Sequence, residues 1–232
     1  MQRQFFITAT DTDAGKTYFA CALTHAFASK GYKTAVYKPI SAGCERQVDE
    51  LGNEQLVNED ALLLQQVANC QQALTQINPI KFAPAIAPHI AAKKIQQTIS
   101  LTEIAQGYNT IVQLQSDVVI CEGAGGWRLP LGNGLFLSDF VKQTKQQVIL
   151  VVNIKLGCLN HALLTYESIK NDGLNCIAWV ANYPDADHNS QPNIDDNITE
   201  LCEMLPIPLL AKLPYQKDIN SSAQQIDLSL LL

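Results

Sequence analysis

No two cysteines in this chain are spaced C-x-x-C, and no apolar run is long enough to cross a bilayer. Long basic blocks are missing as well, with 16 Lys and Arg against 22 Asp and Glu and a net charge of −6. Each absence excludes something. A membrane span needs about 18–20 consecutive apolar residues, so none is expected. Without a basic face, a nucleic-acid partner is not expected either. The seven cysteines (Cys21, Cys44, Cys70, Cys121, Cys158, Cys176 and Cys202) are odd in number and scattered. Several lie in apolar runs, where free Cys behaves as a small hydrophobe, so the pattern supports neither a disulfide framework nor a zinc site. The opening residues MQRQFFITATD already read as a strand, with no apolar region and cleavage site. No signal peptide is expected, and a reducing cytoplasm fits.

What is present points to one α/β domain over residues 1–232, with 47% hydrophobic residues to build a core. Apolar runs near 4–9, 34–38, 117–121, 148–153, 176–181 and 208–211 read as strands. Runs such as VVIC and VILVVNI do not alternate with polar residues, so both of their faces are expected to be buried, as in a parallel sheet. Helical patterns fall at 16–29, 58–70, 102–115, 135–144, 160–171 and 194–204. This alternation predicts a doubly wound, mostly parallel sheet with ligands at the carboxyl ends of its strands. Phe19, Ala22, Leu23, Ala26 and Phe27 form one apolar stripe on the first helix, which is expected to stop at Gly31. Asn160 is expected to cap the helix that follows it. Residues 76–98, with Pro79, Pro84 and Pro88, read as a loop and a short helix over the site. The segment 183–192 reads as a polar loop, and the apolar tail 221–232 is expected to pack.

The segment QFFITATDTDAGKTYFACA carries the strongest chemical signal. A short apolar strand stops at a loop ending in Gly15-Lys16-Thr17, and a helical pattern follows at once. This is the context of a phosphate-binding P-loop, in which loop and helix N–H groups face phosphate oxygens. Lys16 would reach the β/γ-phosphates, and the Thr17 hydroxyl would ligate Mg²⁺. The usual spacing puts a first glycine at position 10, which is Thr10. The nearest small residue is Ala9, so the loop is one residue longer and lacks its leading Gly.

Further candidates stand at other strand ends. Lys38, before Pro39, is either a second cation for transferring phosphate or a solvated strand-end lysine. Asp60 is either a Mg²⁺ ligand or one of the acids that helix first turns favour. Glu122 ends a buried run and precedes the glycine-rich Gly123-Ala124-Gly125-Gly126, where an acid can hold Mg²⁺. Lys155 and the turn Gly157-Cys158-Leu159-Asn160 open another helix, a further anion site. His161 reads as a first-turn residue, and no Ser/His/Asp or Cys/His arrangement is supported by spacing.

Together the blocks TATDTDAGKT, GYKTAVYKPISAG, NEDALLLQ, APHIA, VVICEGAGGW, VILVVNIKLGCLNHALLT and WVAN resemble the dethiobiotin synthetases, in the same order from residue 6 to about 182. The resemblance implies an ATP-dependent enzyme of biotin biosynthesis that carboxylates 7,8-diaminopelargonic acid with CO₂ and closes a cyclic urea. The reaction runs through a carbamate and a carbamic–phosphoric anhydride. It implies Lys16 and Lys38 as the catalytic cations. ATP contacts are implied for Asp13, Ala14, Gly15, Lys16, Thr17, Tyr18, Asp60, Glu122, Gly123, Ala124, Gly125 and Asn182, the last reading adenine. Mg²⁺ is implied at Thr17, Asp60 and Glu122, and substrate contacts at Thr12, Lys38, Ser41, Lys155, Gly157, Cys158 and Asn160. It also implies a homodimer in which the partner's Gly157–Asn160 turn nears the substrate carboxylate. This chain departs from the family at Ala9, at Ala42 in K-P-I-S-A-G, and at Pro84, which is displaced by one position. Two other classes stay open from the residues: a nucleotide-switch ATPase, and an enzyme of the same fold acting on another amine or acid.

Overall fold

The computed structural model describes residues 2–48, 52–183, 193–214 and 218–232. Six strands form its main sheet: β1 (Arg3–Ala9), β2 (Thr34–Tyr37), β3 (Val118–Glu122), β4 (Gln147–Asn153), β5 (Cys176–Tyr183) and β6 (Leu209–Pro214). Their order is β6-β5-β4-β1-β3-β2, and every neighbouring pair is parallel. The chain goes out to β2, returns to β3 beside β1, then crosses to β4 on the other side. That reversal next to β1 is where an open α/β sheet leaves a crevice at its carboxyl edge.

The helices are α1 (Lys16–Ser29), α2 (Glu59–Val67), α3 (Pro88–Lys94), α4 (Leu101–Val112), α5 (Leu137–Thr144), α6 (Cys158–Asn171), α7 (Ile194–Met204) and α8 (Ile219–Gln224). They cover both faces. Successive strand residues point to opposite sides, and the two cores divide accordingly. Phe5, Ile7, Val36, Ile120, Ile149 and Val180 pack with α1 residues Phe19, Leu23 and Phe27. Phe6, Tyr37, Cys121, Leu150 and Trp179 pack on the other side with Ile104, Phe140, Ala162 and Leu201. The expected doubly wound, mostly parallel fold is therefore present, its six strands in the predicted places. Residues 76–98 hold a helical turn at Leu74–Ile77, a two-residue strand at Ile80–Lys81 and α3. Two short antiparallel ladders, Glu45–Val48 with Glu54–Val57 and Pro130–Gly132 with Leu135–Phe136, lie outside the main sheet. Most of the polar loop expected at 183–192 lies outside the described residues.

One boundary differs in a way that matters for the site. The helix expected to be capped by Asn160 starts earlier, with Gly157 as its N-cap in a left-handed conformation at φ 91°. Asn160 is an exposed first-turn residue and not the cap. A glycine with positive φ turned the chain into the helix before the polar residue could.

Helix α1 is held at both ends. At its C-terminus Gly31 N–H donates to Ala28 O at 3.0 Å and Tyr32 N–H to Phe27 O at 3.1 Å. These are the paired bonds of a Schellman stop, and the Phe27 and Tyr32 rings meet edge-on at 5.6 Å as its hydrophobic contact. Along its flank, the chain's last residues pack as expected, with Leu228 and Leu231 buried. Arg3 donates to the Leu231 and Leu232 carbonyls at 3.2 and 2.8 Å, and the Tyr18 and Ser222 hydroxyls bond to each other. No described helix is long and apolar enough to cross a membrane.

A Cβ added at Gly31 meets nothing within 4 Å, while its φ is +86°. Gly31→Ala therefore tests backbone conformation alone. We expect a loss of about 1–2 kcal/mol, read as a lower urea midpoint at unchanged slope. A stability equal to wild type would show that the stop tolerates an L side chain.

Candidate active site

Strand register places the first two site residues. Tyr37 pairs with Cys121 across β2 and β3, so the next residues, Lys38 and Glu122, leave the sheet side by side. Both follow the phase of Val36 and Ile120, on the α1 side. There the Lys38 ammonium lies 2.6 Å from Glu122 Oε1 and 2.9 Å from Asp60 Oδ2. Asp60 arrives on the first turn of α2, whose N-terminus Asn58 caps by accepting from the Ala61 N–H at 3.3 Å. Thr17, on the first turn of α1, donates to Glu122 Oε1 at 2.7 Å. Four strand or helix ends thus bring Lys38, Thr17, Asp60 and Glu122 to one point.

Lys38 is 3% exposed and Glu122 1% exposed. Lys38 is accordingly not a solvated strand-end lysine. Burial alone would lower the pKa of its ammonium, but Glu122 and Asp60 outweigh that and hold it above the ordinary lysine value. Asp60 is shifted the other way. Burial pushes it up, but Lys38, Thr17 and Lys16 together bring it below the usual carboxylate range. Lys16 is lowered, chiefly by burial; its ammonium donates to the Asp11 carbonyl at 3.1 Å.

The donors crowd on one oxygen of Glu122. Its Oε2 is buried and has no hydrogen-bond partner among the described residues. A buried carboxylate oxygen left bare calls for an explanation, and a divalent cation supplies one. Among the described residues no group of three or more His, Cys, Asp or Glu side chains could hold a metal ion by itself. Two carboxylates and a hydroxyl are what Mg²⁺ takes when phosphate and water complete its shell. Thr17, Asp60 and Glu122 therefore fit that ion.

The P-loop curls over the strand ends. Its left-handed positions are Asp13, at φ 56°, and Gly15, at φ 86°. A Cβ at Gly15 would stand 2.1 Å from Asn182 Nδ2, which itself donates to the Ala14 carbonyl at 2.9 Å. Only glycine fits there. Ala9 is the buried last residue of β1 and does not take a positive φ, so the missing leading glycine leaves no strain.

A cavity of about 850 Å³ opens beside these groups. Thr12, Asp13, Gly15, Lys16 and Thr17 border it on the P-loop side, and Lys38, Asp60, Glu122, Gly123, Ala124 and Gly125 along the strand ends. Ser41, Ala42, Leu129 and the segment Ala85–Pro88 complete the wall. The segment bearing Pro84 thus reaches the site, with the Pro84 carbonyl accepting from the Gly43 N–H at 3.1 Å. Ala14, Tyr18 and Asn182 do not border the cavity; Asn182 stands behind the P-loop and Tyr18 bonds to Ser222. Lys155, Gly157, Cys158 and Asn160 also lie outside it. Lys155 instead faces Asp11 of the P-loop at 3.6 Å, Cys158 is buried, and Gly157 and Asn160 are exposed. Asn58 borders the cavity and was not anticipated. The Asn-Glu-Asp opening of α2 was the available signal, because an Asn before acids is a helix start.

A family model described as an AAA domain matches residues 3–223. An ATP-dependent dethiobiotin synthetase from Alteromonas mediterranea is 46% identical over 229 residues, covering 94% of this chain and 95% of the relative. One from Pseudomonas aeruginosa is 40% identical, covering 97% and 96%. The chain belongs to the ATP-dependent dethiobiotin synthetase family. Solved structures of a ParA family ATPase from Chlorobium tepidum (TM-score 0.55, 17% identity, covering all of this chain and 92% of that one) and of a MinC:MinD complex from Aquifex aeolicus (0.58, 11%, 96% and 91%) share its fold.

The shifted groups set the pH response. Lys38 contributes stability that is complete below the ordinary lysine range and lost as pH rises through its raised folded value. Asp60 contributes stability present above the ordinary carboxylate range and lost as pH falls through its lowered folded value. In Asp60→Asn we expect the acid-side loss to shrink while the alkaline-side loss remains, followed by urea unfolding across pH. An acid limb identical to wild type would show that Asp60 carries none of it. Glu122→Gln leaves buried Lys38 with Asp60 alone and should cost about 3 kcal/mol in the same assay.

Proposed function

We propose that this synthetase binds ATP with its α1 P-loop and closes the ureido ring of dethiobiotin at Lys38. One amine nitrogen of 7,8-diaminopelargonic acid attacks CO₂, and loss of a proton leaves a carbamate. A carbamate oxygen attacks the γ-phosphorus of ATP; ADP leaves and a carbamic–phosphoric anhydride forms. The second amine then attacks the carbonyl carbon, the bond to phosphate oxygen breaks, and a further proton is lost. No step needs a protein nucleophile. What they need is placement and cations where negative charge develops.

The observation that carries this reading is the cavity wall, which joins the P-loop to Lys38 and then to the apolar Ala85, Ile86, Ala87 and Leu129. Phosphates would lie along the P-loop N–H groups and Lys16, the reacting carbamate near Lys38, and the substrate's hydrocarbon chain along the apolar wall. Mg²⁺ held by Thr17, Asp60 and Glu122 would neutralise phosphate charge. Asn182, next to the P-loop, would read the adenine, and Thr12 would face the diamine.

A homodimer in the cytoplasm completes the proposal. The Lys155–Asn160 turn lies outside its own chain's cavity and carries Leu156 at 99% exposure. A second copy's turn, at the N-terminus of α6, would meet the substrate carboxylate. Ala42 borders the cavity, at the position where the resemblance implies the hydroxyl of a Ser or Thr. Restoring it in Ala42→Ser should lower KM for the diamine by roughly 2- to 10-fold, the worth of one hydrogen bond. An unchanged KM would mean that no such bond was lost.

The deciding experiment is ADP release from Mg·ATP and bicarbonate, with and without the diamine. We expect strong stimulation by the diamine, and a drop of roughly 10²–10³-fold in kcat for Lys38→Ala. Turnover indifferent to the diamine would instead favour a nucleotide switch.

A further inference from the structure

β2 is an edge strand, and the outward backbone groups of Thr34, Val36 and Lys38 have no neighbouring strand in the sheet. Side chains and loop backbone take that place. Asn69 Oδ1 accepts from the Thr34 N–H at 2.7 Å. Gln72 accepts from the Val36 N–H at 2.9 Å and donates to the Val36 carbonyl at 2.8 Å. At Lys38 the pattern continues with a difference. Its N–H donates to Ile77 O at 2.8 Å, and its carbonyl accepts from Asn78 Nδ2 at 2.7 Å. The same carboxamide accepts from the Ser41 hydroxyl at 2.7 Å through Oδ1. Asn78 is 0% exposed and does not border the cavity, whereas Lys38 and Ser41 both do.

We infer that Asn78 is a positioning residue for ring closure, fixing where the Lys38 ammonium and the Ser41 hydroxyl stand. Its role rests on Lys38 being the reacting cation, as proposed above. Lys38 leaves β2 just before Pro39, which has no N–H to anchor the turn. The backbone that carries the ammonium is therefore held on its outer side by Ile77 and Asn78. A carboxamide can donate to a carbonyl and accept from a hydroxyl at once; aspartate or alanine cannot. Gln72 satisfies the same edge two residues earlier, and its hydrogen-bond partners, Val36 and Gln65, do not border the cavity, which makes it the internal comparison.

The test uses the full chain and compares Asn78→Ala and Asn78→Asp with Gln72→Ala and Lys38→Ala. Diamine kcat/KM, affinity for a non-hydrolysable ATP analogue and thermal midpoint are measured for each. Asn78→Ala should lose roughly 10- to 100-fold in kcat/KM, the scale of a small misplacement of a reacting group. Its nucleotide affinity should stay within about twofold, because the P-loop does not touch Asn78. Asn78→Asp keeps the acceptor for Ser41 and should lose less. Gln72→Ala should lower the thermal midpoint with kcat/KM nearly intact. A kcat/KM loss in Asn78→Ala no larger than in Gln72→Ala would overturn the assignment, and so would failure of both Asn78 variants to fold. Full activity in Lys38→Ala would instead remove the reading of Lys38, and the role of Asn78 with it.

Discussion

The buried contact between the Lys38 ammonium and Glu122 Oε1, at 2.6 Å, is the constraint on which the rest of this site depends. Neither ion could be buried alone, because removing a bare charge from water costs several kcal/mol. They can be buried together only because β2 and β3 run parallel in a register that ends both strands at the same height. A one-residue slip would send one of the two to the opposite face. Asp60 and Thr17 then complete the cluster from the N-termini of α2 and α1. The cluster satisfies itself internally, with Lys38 on the two carboxylates, Lys16 on the Asp11 carbonyl and one oxygen of Glu122 left over. On the proposed reading, binding a nucleotide with its metal would be an exchange of partners in which phosphate takes Lys16, the carbamate takes Lys38 and the metal takes the carboxylates.

That exchange requires α1 to stay put, and its anchoring is distributed. Its inner face buries Phe19, Leu23 and Phe27 against the sheet, and Gly31 stops it. The chain's last helix and turn lie along its flank, with Arg3 of β1 gripping the terminal carbonyls. The last residues of the chain are thus tied to the first strand, and both are tied to the helix that carries Lys16 and Thr17.

Most of this was legible in the residues, because buried parallel strands write themselves as apolar runs and a P-loop has few alternatives. The strand ends were legible too, so Lys38 and Glu122 could be named as candidates. Whether Lys38 was buried could not be read, because that depends on register between strands far apart in sequence. The roles of Asn58 and Asn78 were hidden for a related reason. Asn58 carried a helix-start signal, but only the fold shows that its cap lies beside the cavity and that Asn78, one of many loop asparagines by sequence, braces an edge strand. The helix start at Gly157 was missed because two start signals compete there. A glycine of positive φ and an Asn cap can each begin a helix, and the earlier one won. The Lys155–Asn160 turn shows a different limit: one chain alone does not bring it to the cavity.

The missing leading glycine of the P-loop shows how a departure from pattern can be without cost. A glycine is required where the backbone must turn left-handed or where a Cβ would collide. In this loop both demands fall on Gly15, at φ 86° and 2.1 Å from Asn182 in Cβ terms. The other left-handed position, at φ 56°, is taken by Asp13, whose short polar side chain tolerates it. Ala9 stays within β1, in the phase of Phe5 and Ile7, and its methyl joins their core. The extra residue lengthens the loop after the strand has ended, so the strand keeps its side-chain packing and the helix keeps its glycine. Ala42 is the opposite case. It lies on the cavity wall, and its methyl offers no hydrogen bond. The adjacent Ser41 hydroxyl is held instead by Asn78, to which it donates at 2.7 Å.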